Sequence, residues 1–325
     1  MIPGCKPGRR HLAGGLAALL AAPCSARAQA PRPGRLIVPI GPGTSPDING
    51  RIIAEAIGRL RGLPLVVENK PGADGVLGAE AFARSRPGEA LLHSFTSIVT
   101  VIPLMYPNLP YDPERDLVPV AAVHTDVSGL VVDPRLPVTD LASFVAWARA
   151  QPPGSLSYYA SPGSPYLSFR AFLKSVGLDM TYVSYRQGAQ ALLDVGTGRL
   201  TAMLGALPST LGPARQGQFR LLATTGPARV PAAAEFPTSA EQGFPALNAG
   251  GPVGLFGWRG ITPAEAEALA AELRAAMALP GVRERIAATG AIPTGTDPAA
   301  FAAELAEHRR RWAALVREFG ARPPE

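Results

Sequence analysis

The chain has 325 residues, 47% hydrophobic and 17% charged: long enough to bury two cores and too apolar to be disordered. Glycine and proline number 35 each without a three-residue period, which excludes a collagen-like fibre and leaves them as punctuation between short elements. The formal charge of +6 falls to +2 (27 basic against 25 acidic) once the four cations of residues 1–30 are set aside, and no basic stripe with interleaved aromatics remains, which argues against a nucleic-acid partner.

Residues 1–30 read as a secretory signal peptide. Lys6, Arg9 and Arg10 form a basic start, Leu12 to Ala22 an apolar stretch, and Ala28-Gln29-Ala30 a small-x-small cleavage site, with cleavage expected after Ala30. The stretch is too short to span a bilayer, which takes about 20 residues. Arg9-Arg10 leaves twin-arginine export open beside the general route, and Cys24 leaves lipidation open although Pro23 precedes it. Cys5 and Cys24 both fall in this leader, so the mature chain has no thiol, disulfide or cysteine zinc site; a periplasmic location is expected.

From there the pattern alternates. Arg35 to Ile40 reads as a buried strand and Gly41 to Pro46 as a turn; Ile48, Ile52, Ile53, Ala56, Ile57 and Leu60 then recur at helical spacing, with Ser45 as N-cap and Pro46 at the first helical position. Leu65–Glu68 is a second strand, followed by the Pro71–Gly75 loop. Ala90–Phe95, Val118–Val123, Leu130–Val132, Leu156–Tyr159, Met180–Val183 and Leu221–Thr224 are further strands. Leu141, Phe144, Val145 and Ala148 form a helical stripe stopped by Pro152-Pro153, and Thr262-Pro263 with Glu265 is a capping box. A last helix carries Phe301, Leu305, Trp312, Leu315 and Phe319 on one face, with Arg309-Arg310-Arg311 expected to be solvated. Strand–loop–helix alternation predicts an α/β fold.

Catalytic patterns are missing. His93, His124 and His308 have no partner at metal-ligand spacing; His93 and His124 sit at strand ends, where core or loop roles are the default, and His308 is expected on the surface. Neither a Gly-x-Ser-x-Gly elbow nor a P-loop occurs. Gly41-x-Gly43 with Glu68 partly matches a dinucleotide fingerprint, but Pro46 stands at the third glycine and export removes the chain from the cofactor pool. No cofactor is expected. What recurs is a set of polar loops after strands: Gly41–Asp47, Ser94–Ser97, Ser161–Ser164 and Tyr185–Gly188. Such loops are ordinary helix-capping turns one by one; together, with Arg186 among them, they suit an anion held at helix N-termini in one crevice.

The chain resembles the substrate-binding proteins of tripartite tricarboxylate transporters, the Bug or TctC-like family. The resemblance rests on Arg35–Asp47, on Val67–Gly75 with Gly78-Ala79-Glu80, and on Leu109-Pro-Tyr-Asp-Pro-Glu-Arg-Asp116. It continues through Phe236-Pro-Thr238 with Glu241 and Gly243, and Arg311-Trp312 with Gly320-Ala-Arg322. It implies an α/β, type II, two-lobed Venus-flytrap periplasmic binding protein with a cleft between lobes. Residues 31–126 and 226–325 would form one lobe and 127–225 the other, with crossings near Asp126 and Thr225. It also implies a monomeric, non-enzymatic protein that captures a small organic carboxylate and hands it to the membrane permease subunits of a transporter. A sensor partnered by a membrane histidine kinase, or an exported α/β enzyme, are the alternatives.

Carried over, the ligand contacts fall on Thr44, Ser45 and Asp47, on Thr96, on Ser161, Gly163 and Ser164, and on Tyr185, Arg186 and Gln187 with Asp194. The chain departs from the family where the first loop has Gly43-Thr44 for a glycine pair, where the Ser161 loop is shorter and lacks a histidine, and where Gly205-Ala206 replaces an Asp-Asn pair. These losses of polar groups imply an acid smaller or more apolar than citrate.

Overall fold

The computed structural model describes Met1 and residues 33–320 apart from Pro162 and Arg186. The expected leader, with both cysteines, lies outside the described residues apart from Met1, as does Arg186.

The first part of the chain runs β1 (Arg35–Val38), α1 (Ser45–Arg61), β2 (Val66–Asn69), α2 (Val76–Ala83), β3 (Ala90–Phe95), α3 (Ser97–Thr100), α4 (Ile102–Met105) and β4 (Val118–Asp126). Then come β5 (Ser128–Val132), α5 (Leu141–Arg149), β6 (Ser157–Ala160), α6 (Ser164–Val176), β7 (Thr181–Tyr182), α7 (Gly188–Thr197), β8 (Ala202–Ala206), α8 (Leu207–Arg215) and β9 (Arg220–Thr224). The chain ends with β10 (Gly251–Gly257), α9 (Pro263–Met277), α10 (Val282–Ala288), β11 (Ile292–Pro293) and α11 (Pro298–Phe319).

Among the described residues these strands form two sheets, a six-stranded one in the order β11-β4-β10-β3-β1-β2 and a five-stranded one in the order β7-β6-β8-β5-β9. β1 pairs in parallel with β2 and β3, while β10 runs antiparallel between β3 and β4. The chain leaves the first sheet at Asp126 and enters the second at Ser128 with one residue between. β9 ends at Thr224, but Val230, Ala233 and Leu247 still pack in cores of the second sheet, and the first sheet resumes only at Gly251.

Helices cover both sheets, as buried strands with near-continuous apolar runs require. The first core holds Leu36, Ile53, Phe82, Leu92, Phe256 and Phe301. The second is aromatic, with Phe144, Tyr158, Phe169 and Phe172, and Tyr158 stacks on Phe169 at 4.5 Å between ring centroids. α11 joins the two: Phe301 and Leu305 belong to the first core and Trp312 to the second, with Leu315, Val316 and Phe319 packed against it.

Several local expectations shift. The cap of α1 is Thr44, so Ser45 is the first helical residue rather than the cap. The Thr262 capping box is present, with Glu265 N–H donating to Thr262 Oγ1 at 3.2 Å and Thr262 N–H to Glu265 Oε2 at 2.8 Å. The arginine run is not simply solvated: Arg309 Nε donates to Val99 O at 3.1 Å, and Arg311 donates to Asn248 O at 2.7 Å while lying over the Trp312 ring. His308 is half-buried with its ring edge-on to Trp312, and burial holds it below the ordinary histidine value. Sequence reading passed over β10, whose Gly-Pro-Val-Gly-Leu-Phe-Gly composition opposes a strand. Gly254 explains it: a Cβ there would collide with the Phe301 ring.

Candidate functional site

A cavity of about 510 Å³ lies between the two sheets, within the size range of small-molecule sites. Its floor is the first crossing between them. Strand register sets Asp126 beside Gly251 and Ser128 beside Ala206, and all four line the cavity. Phe95, Val101, Ile102, Met105, Leu204 and Ala249 give it apolar walls.

Helix N-termini converge on this space. Ser45 opens α1, Gly72 and Gly75 precede α2, Gly163 caps α6, and Ala206 caps α8, and each of these residues lines the cavity. The first-turn N–H groups of a helix have no acceptor within it, and the helix dipole favours negative charge there. Thr96 and Ser97 add hydroxyls from the end of β3, where Thr96 N–H donates to Pro252 O at 3.1 Å and so ties β3 to β10. Backbone strain is concentrated in one wall: Gly72, Ala73, Asp74 and Gly75 all have positive φ, at 138°, 46°, 55° and 94°. Non-glycine residues in that region cost about 1 to 3 kcal/mol each, and the Tyr106 hydroxyl helps hold the turn by donating to Asp74 Oδ2 at 2.7 Å.

The expected site residues separate into two groups. Ser45, Thr96, Ser161, Gly163 and Ser164 come together around the cavity. Thr44 and Asp47 instead shape the loop beneath it. Thr44 Oγ1 donates to Gly41 O at 2.9 Å, and buried Asp47 accepts from Gly43 N–H at 2.9 Å, Arg51 Nε at 3.1 Å and Asn69 Nδ2 at 2.9 Å. Burial works to raise the Asp47 pKa, but the bonds from Arg51, Gly43 and Asn69 outweigh it and leave it below the usual carboxylate value.

Tyr185, Gln187 and Asp194 do not line the cavity. Tyr185 donates to Asp194 Oδ2 at 2.8 Å, and burial, then this carboxylate, push its hydroxyl up to about 12. The Pro71–Gly75 turn was passed over as a site element, and Gly205-Ala206 entered only through the polar groups it lacks. Apart from Asp74, these segments offer backbone rather than polar side chains, so only placement shows that they line the cavity. Among the described residues no lysine, arginine or histidine lines the cavity, and no group of three or more His, Cys, Asp or Glu side chains is placed to hold a metal ion.

The family model described as tripartite tricarboxylate transporter family receptor matches residues 50–321. The chain belongs to this receptor family. The receptor is 32% identical over 307 residues to Protein BugT of Bordetella pertussis, covering 93% of this chain and 94% of that one. It is similar to a solved Rhodopseudomonas palustris protein, Rpa4515 with adipate, at 26% identity and TM-score 0.76, covering 90% of this chain and 99% of that one. MatC of the same organism, with bound malate, aligns at 25% identity and TM-score 0.70 over 88% of this chain and 99% of that one. The two-sheet α/β architecture is therefore that of periplasmic binding proteins, and the receptor is a periplasmic solute-binding protein.

Proposed function

We propose that the receptor captures a small organic carboxylate in the cavity between its sheets and presents it to the membrane permease subunits of a tripartite tricarboxylate-type transporter. The observation that carries this reading is the meeting of the α2, α6 and α8 N-termini around one space of about 510 Å³. Oriented N–H dipoles stabilise an anion without a full countercharge. The malate and adipate carried by the two Rhodopseudomonas palustris proteins support the same ligand class.

In this reading residues 1–30 are the export leader and the protein acts as a monomer without catalysis. The lobes are 31–126 with 226–325, and 127–225, hinged near Asp126 and Thr225. A ligand that touches both lobes only when they are closed shifts the population to the closed form, which the permease reads. Thr44, Ser45, Asp47, Thr96, Ser161, Gly163, Ser164, Tyr185, Arg186, Gln187 and Asp194 form the ligand-binding set, some by contact and some, as the Asp47 and Tyr185 bonds suggest, by shaping loops. Leu204, Ala206 and Ala249 in the lining favour an acid smaller or more apolar than citrate.

Native mass spectrometry of freshly purified protein tests this directly: a co-purified carboxylic acid is expected, and a co-purified neutral or purely cationic compound would end the reading. Calorimetry should then show a monocarboxylate binding more tightly than citrate. Arg186→Ala should weaken binding by more than Arg84→Ala, which removes a guanidinium that is 76% exposed; equal effects would take Arg186 out of the set.

A further inference from the structure

The α1 N-terminus, the most conspicuous anion position in the sequence, is already occupied by the protein's own charge. Ser45 Oγ donates to Asp126 Oδ1 at 2.7 Å, so a carboxylate 81 residues away sits at the start of that helix. The hydroxyl proton of Ser45 is committed to this bond, and Asn49 Nδ2 lies 3.1 Å behind the same oxygen. Buried His124 places Nε2 at 3.3 Å from the same Asp126 Oδ1. Asp126 is thus fixed from one side, through Oδ1. Among the described residues its Oδ2 receives no hydrogen bond, its side chain is 24% exposed, and it lines the cavity at the crossing between the sheets. Asp74 contributes a second carboxylate at the rim, and no described cation faces either from the lining.

This arrangement divides the cavity electrostatically. The α6 N-terminus, with the Ser164 hydroxyl, follows β6, two strand positions from β5, and forms an end that favours negative charge, whereas the start of α8 lies beside the crossing, its Leu207 N–H donating to Val127 O at 2.9 Å. The Asp126 end accepts hydrogen bonds and repels a second carboxylate, which a dicarboxylate would have to place there. Like charges a few ångströms apart in a partly desolvated site strongly disfavour such an arrangement.

We propose that Asp126 is the residue that sets specificity, and that the receptor selects a monocarboxylate whose far end carries a protonated nitrogen, over dicarboxylates of the same length. The carboxylate lies at the α6 end and the ammonium donates to Asp126 Oδ2. This rests on the carboxylate reading above and narrows it.

Two length-matched pairs test it by calorimetry at neutral pH and low salt: adipate against 6-aminohexanoate, and succinate against 4-aminobutanoate. The amino acid of at least one pair is expected to bind tenfold or more tightly than its dicarboxylate partner, about 1.4 kcal/mol. Asp126→Asn should erase that preference or reverse it. Dicarboxylates that bind as tightly as their amino partners in both pairs, or a preference unchanged by Asp126→Asn, overturn the proposal. The wild-type ratio decides by itself if the variant does not fold. Binding of none of the four acids also overturns it, whereas the carboxylate reading is decided separately by the acid found in native mass spectrometry.

Discussion

Single side chains explain why segments without obvious chemistry matter to this receptor. The Leu109–Asp116 segment, one of the specific points of family resemblance, lies outside the cavity lining. Its Tyr111 hydroxyl, buried, donates to Ile98 O at 2.9 Å and so pins α3 from behind, while Asp112 and Asp116 hold the turn through bonds to Glu114, Arg115 and Asp112 N–H groups. Tyr111→Phe leaves that carbonyl unsatisfied and should lower stability by about 1 to 3 kcal/mol, read as a shift in urea midpoint at constant slope. An unchanged midpoint would show that the bond contributes nothing net. Gly78 has a comparable role. A Cβ there would collide with Pro39 and come within 2.8 Å of Lys70 O, both backbone-anchored neighbours. Gly78→Ala should therefore push α2 away from the β1 end, costing about 1 to 3 kcal/mol and weakening ligand binding through the displaced Pro39 and Gly75 walls. Full affinity in this variant would detach α2 from the site.

At the level of elements, the contact of α1 with β3 makes stability depend on pH. His93 on β3 is fully buried, with Gly50 of α1 packed against its ring, and it faces Leu255 of β10 across the sheet. Burial, then the neighbouring His124 ring at 5.8 Å, push its pKa from 6.5 to about 3. The unfolded chain takes up this proton near 6.5 and the folded chain only near 3, so the contribution is complete above 6.5 and is lost as pH falls through that window. The slope is about 1.4 kcal/mol per pH unit. Unfolding measured at pH 7 and pH 5 should show this loss, and His93→Leu should flatten it; parallel profiles for the two proteins would refute the assignment. The carboxylates with depressed values, such as Asp47 and Asp116, act in a lower window. Their stabilisation is present above the ordinary aspartate value and fades as pH falls below it, so they do not contaminate the comparison.

Across the whole molecule, the two sheets are joined by the short crossing at Val127, by the longer return from Thr224 to Gly251 and by one long helix. α11 has 22 residues and inserts Phe301 and Leu305 into one core and Trp312 into the other. Trp312 is 2% exposed, and Arg311 bonds Asn248 O beside it. Trp312→Ala should cost about 3 to 5 kcal/mol by emptying the contact between α11 and the second sheet. A loss below 1 kcal/mol would show that α11 is dispensable there. Ligand binding should act in the opposite direction. A ligand held between the sheets at 100 times its Kd adds about 2.7 kcal/mol to unfolding, visible as a concentration-dependent rise in Tm. A Tm that does not move at saturation would remove the cavity as the binding site.

Local pattern was enough for much of the architecture. The period of apolar residues marked α1, α5 and α11, Ala90–Phe95 read as a strand at the observed bounds of β3, and the Thr262–Glu265 pair marked the start of α9. These are properties of neighbours within a few residues, governed by side-chain direction and free backbone groups. Placement of β10 was not legible, because its strand conformation depends on Gly254 making room for Phe301, a contact 47 residues away. The site was half legible for the same reason. Polar loops after strands announced Ser45, Thr96 and Ser164, but that the Ser45 hydroxyl would be bound to Asp126, and that the Pro71–Gly75 and Ala206–Pro208 backbones would complete the cavity, followed only from the tertiary arrangement that brings parts of both sheets to one space. Charge at a helix end is a local property, whereas which charge reaches it first is decided by the tertiary fold.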